Sequence, residues 1–334
     1  MLTSELDYEL PEGLIAQKPA APRDSSRLMV VDVRKGTIEH RVFRDLPRFL
    51  RPGDALVLNE TKVLPARLLV RRPSGGEMEL LFLRDLGAKG NVWEVMARPS
   101  RRLRPRMMLS AGGEKLRVVE PLGEGRWVVA GADVPGMLRR HGRMPLPPYI
   151  RATPEAEEAY QTVYARNPGS AAAPTAGLHF TGEVLKEVQR AGAELAWVTL
   201  HVGTGTFSPV RTERLADHRM HPEYYSVPEE AARIVGDAKR VVAVGTTVAR
   251  ALESWAEGGA REGESELFIR PGHVWGIVDV LLTNFHLPRS TLLAMVMALA
   301  GKELIREAYE VAVKERYRFF SLGDAMLLVG GRAW

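Results

Sequence analysis

The backbone rhythm of this chain changes once, and that change bounds the folds open to it. Between about residues 63 and 150, short alternating stretches (66–71, 77–84, 92–97, 115–119 and 126–130) sit between Gly, Pro and Ser turns. Evenly spaced short strands without helices predict a small β-barrel or sandwich. From about residue 160 the pattern becomes helix and strand in turn. Thr181 can cap a helix that Gly192 stops, and residues 194–202 read as a buried strand. Residues 240–244 form a strand running straight into Gly245 and a helix through Val248, Leu252 and Trp255. A third strand over 276–285 leads to a helix over 291–300, ended by Gly301. Alternation of this kind implies a mostly parallel sheet with helices on both faces.

The expected architecture is multidomain, α/β plus all-β. A three-layer α/β domain with a mostly parallel sheet takes residues 1–62 and 151–334, and a small β-barrel of residues 63–150 is inserted into it. Strands over 27–33 and 54–59 belong to the first part, while 152–159 and 258–263 read as exposed linkers.

Three segments of the α/β part are built to one plan: AAPTAGLHFT (172–181), TLHVGTGTF (199–207) and TNFHLPRST (283–291). Each sets a histidine among apolar residues, glycine or proline, and hydroxyls, and none contains Asp or Glu. That choice of polar groups suits a desolvated pocket for proton transfer better than a solvated loop. His201, Gly245-Thr246-Thr247 and His286 fall beyond the carboxyl ends of strands, where open α/β sheets bind ligands. Gly245-Thr246-Thr247 at a helix start offers backbone N–H groups to a carboxylate or phosphate. The alternatives are an ordinary threonine-capped helix and hydrogen-bonded core histidines.

Composition narrows the chemistry. There are no cysteines, so thiolate metal sites and cysteine nucleophiles are excluded. His218 and His221 have a metal-ligand spacing but too few companions, and no metal is expected. No dinucleotide fingerprint or P-loop occurs. Residues 1–13 carry four acids and no apolar run, and the most apolar helix is half a membrane span, so a cytoplasmic protein is expected. The formal charge is +5, with 37 arginines against nine lysines. The runs RPSRRLRPR (98–106) and RRHGR (139–143) could face a nucleic-acid backbone, or reflect an arginine bias. Asn59, Lys62 and Arg67, in LNETKVLPAR (58–67), and Arg250 and Glu253 stand in apolar or proline-bound settings, where salt-bridged structural roles compete with functional ones.

On these blocks, together with LDYELPEGLIAQ (6–17), PLPPYI (145–150), YQTVY (160–164), HRMHPEY (218–224), VGTTVARALES (244–254) and YRFFSLGDAM (317–326), the chain resembles the S-adenosylmethionine:tRNA ribosyltransferase-isomerases of queuosine biosynthesis. The resemblance covers nearly the whole chain. It implies transfer and isomerisation of the ribosyl part of S-adenosylmethionine onto 7-aminomethyl-7-deazaguanine at the wobble position of tRNA. The product is epoxyqueuosine-tRNA, with adenine and methionine released. S-adenosylmethionine is then a cosubstrate, no cofactor is held permanently, tRNA is the partner, and a monomer is expected.

The resemblance also assigns site residues. His179, His201 and His286 are the candidates for the base that removes the C5′ proton, acidified by the sulfonium, and the three are not ranked. Gly245, Thr246, Thr247, Arg250, Asn284 and Thr204 are expected around S-adenosylmethionine. Asn59, Lys62, Arg67, Thr175, His221 and Glu253 are expected around the modified base or tRNA. Lys62 stands where the family often has arginine, which loses a bidentate fork. Two other readings remain: an RNA methyltransferase using the same cosubstrate, which would release S-adenosylhomocysteine, and a non-catalytic RNA-binding protein.

Overall fold

The computed structural model describes residues 1–87, 91–203 and 209–330. Along the chain, β1 (Arg27–Asp32), β2 (Thr37–Val42) and β3 (Asp54–Asn59) precede a short β4 (Thr61–Val63). Six strands follow: β5 (Arg67–Arg71), β6 (Glu77–Asp85), β7 (Val92–Arg98), β8 (Met108–Ala111), β9 (Glu114–Gly123) and β10 (Arg126–Gly131). Then come α1 (Val134–His141), α2 (Pro154–Ala159) and β11 (Asn167–Ser170). The second half runs α3 (Gly182–Arg190), β12 (Glu194–Leu200), β13 (Glu223–Ser226), α4 (Glu229–Asp237), β14 (Arg240–Val244) and α5 (Thr246–Gly258). It continues with β15 (Glu262–Ser265), β16 (Val280–Asn284), α6 (Thr291–Ala300), α7 (Lys302–Lys314) and β17 (Ala325–Val329). These elements gather into two compact units. One takes Met1–Thr61, Pro148–Arg166 and the chain from Ala173 onward; the other takes Lys62–Pro147 and Asn167–Ala172.

The smaller unit is a closed barrel of strand order β10-β7-β6-β5-β8-β9. Its strands alternate as a two-residue period demands. Met78, Leu80 and Phe82 of β6 and Trp93, Val95 and Ala97 of β7 point into one core, which Val134, Met137 and Leu138 of α1 complete. Asp133 caps α1 by accepting from the Gly136 N–H at 2.8 Å.

The larger unit holds a nine-stranded sheet of order β15-β13-β12-β3-β14-β16-β17-β1-β2. Its centre, β12-β3-β14-β16, is parallel. The sheet as a whole is mixed, because β17 runs antiparallel to β16 and both margins pair antiparallel. The cause lies in the connection. One crossover helix returns a chain to the start of a parallel neighbour, whereas two successive helices, α6 and α7, bring it back so that β17 begins where β16 ends. Leu56, Leu58, Val242, Val244 and Leu282 face Val184 and Val188 of α3 and Phe43 and Leu46 before β3. Helices α4 and α5 pack on the same strands. Their partners are the alternate residues, such as Ala55, Val57 and Ala243, so the sheet is the middle of three layers.

Two stretches read as linkers carry structure. Thr153 caps α2, accepting from the Ala156 N–H at 3.2 Å, with Pro154 at the first helical position. Residues 258–263 hold the end of α5 and the start of β15. Among the described residues, no helix is long and apolar enough to cross a membrane.

Candidate active site

The four parallel strands end on one edge of the sheet and so deliver Asn59, His201, Gly245 and Asn284 to the same side. Because β17 is reversed, the turn before it, residues 320–324, arrives at that edge too. A cleft, partly open to solvent, lies there. Thr175, Thr246, Thr247, Thr283, Ser290 and Ser321 give it hydroxyls, and Asn284 and His286 give it an amide and an imidazole. Its other walls are apolar, with Tyr149 and Phe320 among them; no Asp, Glu, Lys or Arg lines it among the described residues.

Asn284 organises one wall. It is buried at the end of β16, accepts from the Thr175 hydroxyl at 3.1 Å, and donates to His179 Nε2 at 3.1 Å and to the Phe320 carbonyl at 3.2 Å. His179 sits at the end of the 3-10 turn Thr175–His179, stacked on Phe43, with its Nδ1 2.8 Å from Ser26 Oγ. An Nε2 that accepts leaves the hydrogen of a neutral ring on Nδ1, which therefore donates to Ser26. Burial lowers the His179 pKa to about 4, with Asp324 pulling it up and Arg318 and Arg23 pushing it down. Both ring nitrogens are thus engaged, and His179 stands behind the cleft wall.

His286 stands in the wall itself. Its Nε2 lies 2.9 Å from Thr283 Oγ1, and burial lowers its pKa to about 3. His201 is less buried, stacks on Tyr224, and has Nδ1 2.8 Å from Thr61 Oγ1. Its pKa is also lowered by burial, and its Nε2 has no partner among the described residues.

The opposite wall is the start of α5. Gly245 takes φ of 92° and ψ of 154°, a conformation only glycine adopts without strain. Thr181 and Ser290 cap α3 and α6 with their hydroxyls, whereas α5 has no side-chain cap. Gly245, Thr246 and Thr247, at its start, line the cleft. A smaller apolar pocket continues past these threonines to Arg250, Phe268 and Met295. Arg250 is buried there in an ion pair with Glu223, and burial lowers its pKa to about 10. Glu223 also accepts from the Gly203 N–H at 2.6 Å.

Other expected site residues are employed elsewhere. Asn59 accepts from the Leu200 and Thr61 N–H groups, each at 3.1 Å, and donates to the Leu200 carbonyl at 3.0 Å and to Thr247 Oγ1 at 3.4 Å. It clasps β3 to β12 and α5, leaving little for a substrate. Glu253 lies outside the cleft and accepts from the N–H groups of Gly276, Ile277 and Val278 at 2.7–3.0 Å, with His273 at 3.2 Å. It holds the loop before β16. His221 is exposed, and no group of three metal-ligating side chains forms among the described residues. In the barrel unit, Lys62 is exposed and Arg67 is held by Glu79 at 3.3 Å and the Leu146 carbonyl at 3.1 Å. Thr204 lies outside the described residues.

Three contributors escaped the sequence reading. Glu223 is one. Tyr149 and Phe320 are the others, with rings 4.5 Å apart, and Phe320 holds a φ of 74°. That backbone costs about 1–3 kcal/mol for a bulky residue. Gly323 fixes it, donating to the Phe320 carbonyl at 2.9 Å where a Cβ would lie 2.3 Å from the Arg318 carbonyl. The glycine in FFSLGD was the one available signal.

Residues 3–328 match the model of the family described as "Queuosine biosynthesis protein". The chain belongs to that family. A relative from Rubrobacter xylanophilus, named S-adenosylmethionine:tRNA ribosyltransferase-isomerase, is 73% identical over 99% of this chain and 98% of its own. A relative of the same name from Anaeromyxobacter sp. strain Fw109-5 is 52% identical over 98% of this chain and 99% of its own. The crystal structure of an S-adenosylmethionine tRNA ribosyltransferase from Thermotoga maritima is 38% identical, with a TM-score of 0.57, covering 98% of this chain and all of the other. The queuosine family thus accounts for both the barrel and the large mixed sheet.

Proposed function

We propose that this chain is an S-adenosylmethionine:tRNA ribosyltransferase-isomerase. It transfers and isomerises the ribosyl part of S-adenosylmethionine onto the aminomethyl-deazaguanine wobble base of tRNA, releasing adenine and methionine. Family membership supports the reaction class. The observation that carries the local chemistry is the cleft lining: hydroxyls, an amide and an imidazole, with no carboxylate among the described residues. A carboxylate against the sulfonium would quench the acidity of C5′–H, and one against the aminomethyl group would hold it protonated and non-nucleophilic.

His286 is our candidate for the base, because it alone of the three histidines lines the cleft. Burial keeps its ring neutral and so able to accept, but also weakly basic, so the role requires that the bound sulfonium's acidified C5′–H meet a ring nitrogen whose basicity is raised in the complex. The uncapped start of α5 supports a carboxylate site, and methionine carries the only carboxylate of S-adenosylmethionine. In the barrel unit, Arg98, Arg101, Arg102, Arg104 and Arg106 are exposed and have no acidic partner among the described residues, which suits tRNA phosphates.

The test is incubation with S-adenosylmethionine and tRNA bearing the aminomethyl-deazaguanine base, followed by nucleoside mass analysis. Free adenine, free methionine and the epoxide nucleoside are expected. S-adenosylhomocysteine would instead identify a methyltransferase, and no product from a folded, tRNA-binding sample would overturn the reading.

A further inference from the structure

Thr246, Thr247 and Leu292 line both the cleft and the smaller pocket beyond it. The walls of that recess are apolar, with Met220, Leu267, Phe268 and Met295 among them. Arg250 is the one charged side chain lining either space, among the described residues. It is 4% exposed and ion-paired with Glu223, which the Gly203 N–H fixes in turn at 2.6 Å. With a pKa of about 10, the guanidinium stays charged at neutral pH. Thr246 adds a second group. It is 7% exposed, and its hydroxyl has no hydrogen-bond partner among the described residues, whereas the Thr247 hydroxyl accepts from Asn59 at 3.4 Å. Buried hydroxyls are seldom left unpaired without a use. This one stands where both spaces meet, at a helix start without a side-chain cap.

A helix start alone would take any small anion. A buried guanidinium in apolar walls is more selective, and favours a carboxylate carried on a short hydrocarbon chain. S-adenosylmethionine presents that combination at its methionyl end. We propose, resting on the reading above, that the recess is the carboxylate pocket of the cosubstrate: Arg250 pairs with the methionyl carboxylate, Thr246 donates its hydroxyl to it, and Glu223 is a positioning residue that aims the guanidinium. The placement has a chemical consequence. The only anion of the cosubstrate is drawn out of the cleft and away from its own sulfonium, so C5′–H keeps its acidity. Glu223 balances the charge of Arg250, and the pair adds no net positive charge to repel the sulfonium. Because the carboxylate is held alike before and during the reaction, its grip shows in KM rather than in kcat.

Decarboxylated S-adenosylmethionine, which lacks that carboxylate and keeps the sulfonium and the purine, is the probe, with adenine release as the readout. Wild-type protein should use it with KM raised at least about thirtyfold and kcat nearly unchanged. Arg250→Ala alone would strand Glu223 inside the protein, so the variants are chosen to keep the fold. Thr246→Val removes a hydroxyl that no described protein group uses. A structural role predicts unchanged KM for both compounds. The proposal predicts KM for S-adenosylmethionine raised about tenfold and KM for the decarboxylated compound unchanged. Arg250→Met combined with Glu223→Gln removes both charges and keeps an acceptor for the Gly203 N–H. That protein should use the two compounds with about equal KM. Thermal unfolding checks the fold of each variant, and the wild-type and Thr246→Val comparisons stand even if the double variant does not fold. Equal KM for the two compounds in wild type overturns the proposal. So does an unchanged KM, or a defect equal for both compounds, in folded Thr246→Val, and so does a folded double variant that discriminates as wild type does. A wild-type protein that releases no adenine from S-adenosylmethionine overturns the reading beneath it instead.

Discussion

Asn284 donates an amide hydrogen to Nε2 of His179 across 3.1 Å, and that single bond sets the tautomer of a histidine behind the cleft. Asn284→Asp would put acceptor against acceptor. The neutral imidazole must then switch tautomer, donating from Nε2 and accepting at Nδ1 from the Ser26 hydroxyl, and a carboxylate would enter a lining that has none. Turnover should fall by at least about a hundredfold, and histidine ¹⁵N shifts should report the hydrogen moved from Nδ1 to Nε2. A variant with wild-type turnover would remove Asn284 from the site.

The buried histidines make a pH prediction. His179 and His286 have folded pKa values of about 4 and about 3, below the unfolded value of 6.5. A group depressed in this way contributes stability above its unfolded pKa and loses it as pH falls toward the folded one. Between about pH 6 and pH 4, each should reduce unfolding free energy by about 1.4 kcal/mol per pH unit. Denaturant titrations of wild type, His179→Gln and His286→Gln over that range test it. Each variant should show a shallower slope than wild type, and equal slopes would contradict the burial argument.

Glu253 should behave as a structural residue. Its carboxylate serves three backbone N–H groups and His273. Glu253→Ala orphans those donors inside the protein and should cost about 3–5 kcal/mol. The fraction that stays folded should keep the wild-type KM for S-adenosylmethionine. A raised KM without a drop in Tm would return Glu253 to the substrate.

The arginine run on the barrel unit should be read by salt. If Arg101, Arg102 and Arg104 each contact a phosphate, replacing one by alanine lowers the slope of log K against log salt by about one. Lysine in its place should keep most of the slope. Unchanged slopes for all three alanine variants would move the tRNA surface elsewhere.

Much of the fold was written in local pattern. Residues 54–59 and 240–244 end as β3 and β14, and Thr181 caps α3, because each depends on neighbours in sequence. Three of the missed strands had no such mark. β2 is an exposed, charged edge, and β13 and β15 are four-residue margins recognisable only from their partners. His286 announced itself through an acid-free loop. Glu223 with Arg250, the backbone cradle of Glu253 and the meeting of Tyr149 with Phe320 are all contacts between segments distant in sequence. Periodicity and propensity carry no trace of such pairings.

The hairpin of β1 and β2, made early in synthesis, joins the sheet through β17 alone. Until β17 has left the ribosome that hairpin lacks its only strand partner in the rest of the sheet, and the turn bearing Phe320 does not exist. Closure of such long-range pairings is slow. Nascent chains should therefore be inert toward tRNA chemistry however well their barrel has formed, and turnover doubles as a signal that the two ends of the polypeptide have found each other.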